Sequence, residues 1–219
     1  MVKIKVRECD IEPLRPAILS GLEWEELKAC NLPLRQLYYV LQKDTIPPEN
    51  ARLFYQNLKG KRFQFLLLYG DIGTGKTTLG IRYLIKLLSE GNRPVLYLMS
   101  QQLREVYHRI AYVLSYEHEF LGYRSKVSAT LEEGYKKISF SDICNYYQVV
   151  MIDDLKDTEI PALSELIETA YQTGTYLIIT TNLPSLKELS DIAKSRFQEM
   201  GKSLFLQGED LRKLKREGR

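Results

Sequence analysis

The chain has 219 residues, 44% of them hydrophobic and 27% charged, with a formal net charge of +3. That is room for one α/β domain and a modest appendage in a soluble globular protein, and no apolar run is long enough to span a bilayer. A charge so close to balance neither demands nor excludes a nucleic acid, so any such case must come from local clusters.

Met1-Val2-Lys3-Ile4-Lys5-Val6-Arg7 alternates apolar and basic residues. It reads as a strand and lacks the apolar stretch of a secretory signal, which makes the cytoplasm the expected location. Leu22 to Lys28 and Leu34 to Gln42 read as short helices separated by Asn31-Leu32-Pro33. After Ile46-Pro47 comes a helix with Pro48 in its first turn, carrying Ala51, Leu53, Phe54 and Leu58 and stopping at Gly60. Ile46 and Pro47 are candidates to line an adenine pocket, or else simply pack at the helix cap. Cys9, Cys30 and Cys144 are odd in number and far apart, with no C-x-x-C pair. Neither a zinc knuckle nor a disulfide framework is expected. His108 and His118 are too few for a His-rich metal site.

Phe63 to Tyr69 reads as a buried strand, and Leu79 to Leu88 as a periodic apolar helix. Between them stands Gly70-Asp71-Ile72-Gly73-Thr74-Gly75-Lys76-Thr77, followed by Thr78. It fits G-x-x-x-x-G-K-[ST], the phosphate-binding P-loop, in the strand-turn-helix setting that the motif requires. Glycine lets successive backbone N–H groups turn inward on phosphates, and the helix N-terminus adds unpaired donors and its dipole. Lys76 is expected to reach the β- and γ-phosphates of ATP, and the Thr77 hydroxyl to ligate Mg²⁺.

Pro94 opens a second strand, Val95 to Met99. Ser100 is expected to cap a helix carrying Leu103, Val106, Tyr107, Ile110, Ala111 and Leu114. The following stretch interleaves aromatic and basic residues, among them Tyr107, Arg109, Tyr112, Tyr123, Arg124 and Lys126. Such a surface suits stacked bases and phosphates of a single strand, with Arg109, Arg124 and Lys126 as the contacts. Helix-spaced aromatics more often face a core, however, and packing of a helical hairpin is the preferred reading.

Gln148-Val149-Val150-Met151-Ile152-Asp153-Asp154 is an apolar strand ending in two carboxylates. Continuous apolarity marks a central strand of a parallel sheet, and ligands bind at the C-terminal edge of such sheets. Asp153 is expected to hold the Mg²⁺ shell. Asp154 is placed to orient or deprotonate an attacking water, or alternatively to cap the next turn. A helix with Pro161 in its first turn runs to Gly174, and Thr175 to Thr180 is another buried strand. It ends in Thr181-Asn182, where Asn182 either touches phosphate and water or only forms a turn. Ser185 to Met200 reads as a helix with Leu186, Leu189, Ile192, Ala193 and Phe197 inward and Lys194 and Arg196 off that stripe. Ser203 to Leu206 is a last short strand, and a mostly charged tail follows.

In that order, G-D-I-G-T-G-K-T, V-V-M-I-D-D-L, I-I-T-T-N-L, S-R-F and G-E-D-L-R resemble the DnaC/IstB family of AAA+ ATPases, over about Phe63 to Arg212. The resemblance implies an α/β fold, a three-layer AAA+ P-loop sandwich with a central, mostly parallel sheet over residues 61–219. It implies a small helical N-terminal region, residues 1–60, that binds a partner, and no C-terminal lid domain. Asn182 then matches sensor 1. Arg196, in Ser-Arg-Phe, matches the arginine finger that reaches a neighbouring subunit's γ-phosphate. Arg212 matches a sensor-2-like arginine. The helical stretch from about Leu103 to Asn145 takes the place of the initiator-specific insertion. Asp154 departs from the Glu of many AAA+ relatives, and its shorter reach implies slow hydrolysis.

The implied activity is an ATPase that loads a replicative helicase onto single-stranded DNA and assembles into an ATP-dependent homo-oligomer. An IstB-like transposition helper has the same chemistry and a different partner. A small-molecule P-loop kinase needs an acceptor pocket and an Arg-rich lid, neither of which is visible. A regulatory switch that binds ATP and hardly turns over is a third class, left open by Asp154.

Overall fold

The computed structural model describes residues 32–33, 36–37, 40, 46–59, 61–92, 94–108, 111–114, 124–125, 135–208 and 210, of which 111–114, 124–125 and 135–137 are described as backbone. The expected strand at 1–7, the helix at 22–28, Cys9, Cys30 and the charged tail with Arg212 lie outside these residues. So do Arg109 and Lys126.

Helix α1 (Pro48–Leu58) starts on its proline and buries Phe54 and Leu58. Strand β1 (Phe65–Gly70) leads through the P-loop into helix α2 (Lys76–Ser89). Strand β2 (Val95–Met99) runs directly into helix α3 (Ser100–Tyr107). Then come three short strands, β3 (Ala111–Leu114), β4 (Arg124–Ser125) and β5 (Tyr135–Lys137), and helix α4 (Phe140–Tyr146). Strand β6 (Val149–Leu155), helix α5 (Ile160–Thr173), strand β7 (Tyr176–Thr181), helix α6 (Asp191–Met200) and strand β8 (Gly201–Leu206) complete it.

Five strands form one parallel sheet in the order β2-β6-β7-β1-β8. Alternation along each strand divides the core in two. Phe65, Leu67, Val150, Ile152, Leu177 and Ile179 face α3, α4 and α5. Leu66, Leu68, Tyr97, Met151, Ile178 and Leu204 face α1 and α2. Both faces being covered is why these strands read as unbroken apolar runs. The result is the expected three-layer sandwich. Because all five strands point one way, the P-loop, the end of β6 and the end of β7 meet at one rim. Strand β7 lies between β1 and β6.

Three expectations are corrected. The helix after β2 stops at Tyr107, and Ala111 and Leu114, expected on its apolar stripe, belong to β3. Among the described residues, the stretch expected as a helical insertion from about Leu103 to Asn145 contains α3, an antiparallel unit of order β4-β3-β5, and α4. Residues Tyr112 and Val113 favour a strand, and their partners Lys137 and Lys136 lie too far along the chain for a helical window to register. Helix α6 begins at Asp191, where the Ser190 hydroxyl accepts from the Ala193 N–H at 3.1 Å. Leu186 and Leu189 pack in the preceding turn, and Ile192, expected inward, is 59% exposed.

Candidate functional site

The loop between β1 and α2 is shaped by close packing on three sides. At Gly70, φ is +129°, and a Cβ would strike the Leu206 carbonyl of neighbouring β8. Gly73 and Gly75 also take positive φ, at +81° and +88°. Gly73 lies against the side chain of Asp210, and Gly75 against Ile46. The Thr74 hydroxyl donates to the Asp71 carbonyl at 2.8 Å. Asn50 of α1 donates through Nδ2 to the carbonyls of Thr74 (3.2 Å) and Gln207 (3.0 Å), so it ties α1 to both the loop and the chain beyond β8. Lys76 begins α2, largely buried, and its ammonium donates to the carbonyls of Gly70 (2.9 Å) and Asp71 (2.5 Å). Ile72 stands out at the loop's tip, 59% exposed, and Thr78 is buried.

Asp153 meets this loop from β6. The Thr77 hydroxyl donates to its Oδ1 at 2.8 Å. Thr180 of β7 donates to the same oxygen at 2.5 Å, and the Tyr97 phenol of β2 donates to Oδ2 at 2.6 Å. The buried carboxylate is thus fully partnered, as a buried charge must be. Burial first, and then the adjacent Asp153 carboxylate, push the Tyr97 phenol far above its ordinary range, so it remains a donor.

Asp154 sits where β6 bulges. Ile152 pairs with Ile179 and Leu155 with Thr181, so β6 holds one residue more than β7 across that step. Asp154 takes the strain, with φ at +55°. Its N–H donates to the Thr180 hydroxyl at 3.0 Å. Its carboxylate accepts from Asn182 Nδ2 at 3.2 Å and from Lys156 Nζ at 2.6 Å. The alternative of Asp154 capping the next turn is not what its hydrogen bonds do. Thr181 sets the tip of β7, since its hydroxyl donates to the Leu155 carbonyl at 2.8 Å and accepts from the Leu183 N–H at 3.0 Å.

Lys76, Thr77, Asp153, Asp154 and Asn182 therefore converge at one rim. Arg196 does not join them. Its guanidinium lies 4.1 Å from the centre of the Tyr171 ring, with Nη1 3.7 Å from Glu199 Oε2, on the face of α5 and α6. Arg124 falls in β4, opposite Tyr112.

Three participants escape a reading by motif. Tyr97 is concealed in an apolar strand, though a buried phenol needs a partner, and that is the available signal. Asn50 lies outside every motif. Ser100, expected as a helix cap, instead donates through its hydroxyl to Glu159 Oε2 at 2.6 Å and accepts from the Lys156 N–H at 3.1 Å. It pins the segment that follows Asp154.

The donor set fits Mg²⁺. A threonine hydroxyl and a carboxylate oxygen are hard ligands, and that ion usually takes only one or two carboxylates beside water and phosphate. Among the described residues no group of three or more His, Cys, Asp or Glu is placed to hold a metal ion.

No protein-family model matches the chain, and no curated protein matches it. Solved structures do. A DNA replication initiation factor is 20% identical, with a TM-score of 0.51 over 80% of this chain and 52% of its own. The fold shared with it is an α/β P-loop fold, a parallel sheet with helices on both faces. AMPPCP-bound DnaA from Aquifex aeolicus is 20% identical, with a TM-score of 0.49 over 80% of this chain and 53% of its own. A DnaC helicase loader is 19% identical, with a TM-score of 0.45 over 79% of this chain and 89% of its own. This chain spans about half the length of the first two. Among the described residues no helix is long and apolar enough to cross a membrane.

Proposed function

We propose that the chain is a DnaC/IstB-type AAA+ ATPase that acts in DNA replication as a helicase loader. One observation carries the ATPase reading: the Thr77 hydroxyl lies 2.8 Å from Asp153 Oδ1, beside the amine of Lys76 and the glycine cradle. Bound ATP and Mg²⁺ supply the phosphoanhydride to be cleaved and the Lewis acid. Gly70 to Thr78 hold the phosphates, with Lys76 leaving the Gly70 and Asp71 carbonyls to do so. Thr77 and Asp153 hold the metal side. Asp154 and Asn182, already hydrogen-bonded to each other, orient water. Arg196, whose own partners lie on another face, serves the γ-phosphate of a neighbouring copy, and Arg212 completes the nucleotide pocket.

The loader reading draws on the set of motifs resembling DnaC/IstB and on the fold shared with a DNA replication initiation factor. Residues 1–60 bind the replicative helicase, residues 61–219 form the ATPase, and Arg109, Arg124 and Lys126 contact single-stranded DNA. The protein works in the cytoplasm. The test is ATP hydrolysis by the purified chain and ATP-dependent capture of the replicative helicase from its native extract, each beside Lys76→Ala. Hydrolysis and capture lost in the variant are expected. An unchanged ATPase rate overturns the site; capture of a transposase instead of a helicase moves the protein to the IstB branch.

A further inference from the structure

The orientation of Asp153 has a source outside the P-loop, the sheet tips and the carboxylate pair. An aspartate side chain turns freely about its last bond unless both oxygens are held. Here Oδ1 receives Thr77 and Thr180, and Oδ2 receives Tyr97. Thr180 is committed on both sides, because its hydroxyl also accepts from the Asp154 N–H. Thr77 is half-buried at the start of α2 and can turn to another ligand. Tyr97 cannot. It is 1% exposed, in a core layer with Leu79, Val149 and Met151, two strand positions before the rim.

We infer that Tyr97 is a positioning residue for the metal-side carboxylate: its phenol holds Asp153 Oδ2 so that Oδ1 stays turned toward Thr77 and the P-loop. This rests on the proposed role of Asp153 and Thr77 in holding Mg²⁺. Removing the hydroxyl leaves Oδ2 of the buried Asp153 without the donor that Tyr97 supplies. The carboxylate then rotates to find another donor, and Oδ1 leaves the line to Thr77. The ring itself stays, so packing does not explain the loss. Partners of metal ligands in other sites are typically worth about 10–100-fold in metal affinity.

The experiment titrates free Mg²⁺ against the full chain with a fluorescent, non-hydrolysable ATP analogue, for the wild type and Tyr97→Phe. Binding in EDTA is measured in parallel, with circular dichroism as the check on fold. The wild type is expected to bind more tightly as Mg²⁺ rises. In Tyr97→Phe the Mg²⁺ midpoint is expected to move up about 10–100-fold, while affinity in EDTA stays near that of the wild type. A midpoint unchanged from wild type overturns the inference and leaves the ATPase reading standing. An equal loss of affinity with and without Mg²⁺ marks a packing role and also overturns it. A wild-type chain that binds no analogue under either condition overturns both.

Discussion

Lys156 closes on Asp154, its Nζ 2.6 Å from Oδ2, while Asn182 holds the opposite oxygen. Lys156 follows Asp154 by two residues, and the bulge in β6 turns the pair toward each other. Both side chains are about half exposed, at 55% and 48%. An exposed pair of this kind contributes little to stability, about 0.2–1 kcal/mol. Its consequence lies in what Asp154 is free to do. Under the proposed function, Lys156 competes for the carboxylate that is to orient the attacking water. Lys156→Ala is therefore expected to raise the ATPase rate up to about fivefold, the equivalent of about 1 kcal/mol in barrier. Thermal unfolding should barely shift. A steady-state assay showing an unchanged or slower rate would count against a restraining role.

Arg196 lies over the Tyr171 ring, and Tyr171 in turn donates to Glu199 at 3.2 Å. A guanidinium held on an aromatic face is presented at a fixed angle. If it serves a neighbouring copy, Arg196→Ala should bind the ATP analogue as wild type does. Its hydrolysis should fall by about 10³–10⁵. Normal turnover by the variant at dilutions where it is monomeric would remove the interface from the account.

Thr181 makes two hydrogen bonds from a fully buried position, one to the Leu155 carbonyl and one from the Leu183 N–H. Thr181→Val keeps the shape and deletes both. Leaving such groups unpaired costs about 1–3 kcal/mol. Denaturant unfolding should show that loss. Asn182 follows directly, so kcat should fall more than KM rises. A variant as stable and as active as wild type would show that the tip of β7 is set by something else.

Cys144 is buried in α4, and that burial outweighs its hydrogen bonds with Thr175 and Thr173, pushing the thiol up to about 11 from 9.0. The sign follows from linkage. Below pH 9 the thiol is protonated folded or unfolded, and its contribution is complete. Between about pH 9 and 11 the unfolded chain releases a proton that the fold retains, so stability falls as pH rises. Other groups titrate there too. The comparison is therefore with Cys144→Ala, whose unfolding free energy should lose less between pH 8.5 and 10.5, values chosen to bracket about the lower half of that window. Parallel slopes for the two proteins would contradict this burial effect.

The core of the sheet was legible because each central strand is apolar on both faces and the functional letters sit at the ends of strands β6 and β7 or in the P-loop that follows β1. Asp153, Thr77 and Asn182 could be assigned to one rim from that alone. The antiparallel unit was not legible. Ile110, Ala111 and Leu114 continue the helical spacing of Leu103 and Val106, and nothing local reveals that Val113 pairs with Lys136. Helix α6 was read as too long because Leu186 and Leu189 fit its period while packing from a turn. Tyr97 and Asn50 act through side-chain hydrogen bonds across 56 and 24 residues, separations to which no window of periodicity is sensitive.

Asn50 is one amide with its two donor hydrogens pledged to two different stretches of main chain, Thr74 before Lys76 and Gln207 after the last strand. It is a rivet through three plates. Helix α1 cannot slide by even the length of a hydrogen bond without either shearing that rivet or carrying Thr74 along. The loop that opens α2 and the helix that precedes β1 are thus tied together by one side chain, though 24 residues of sequence separate its two ends.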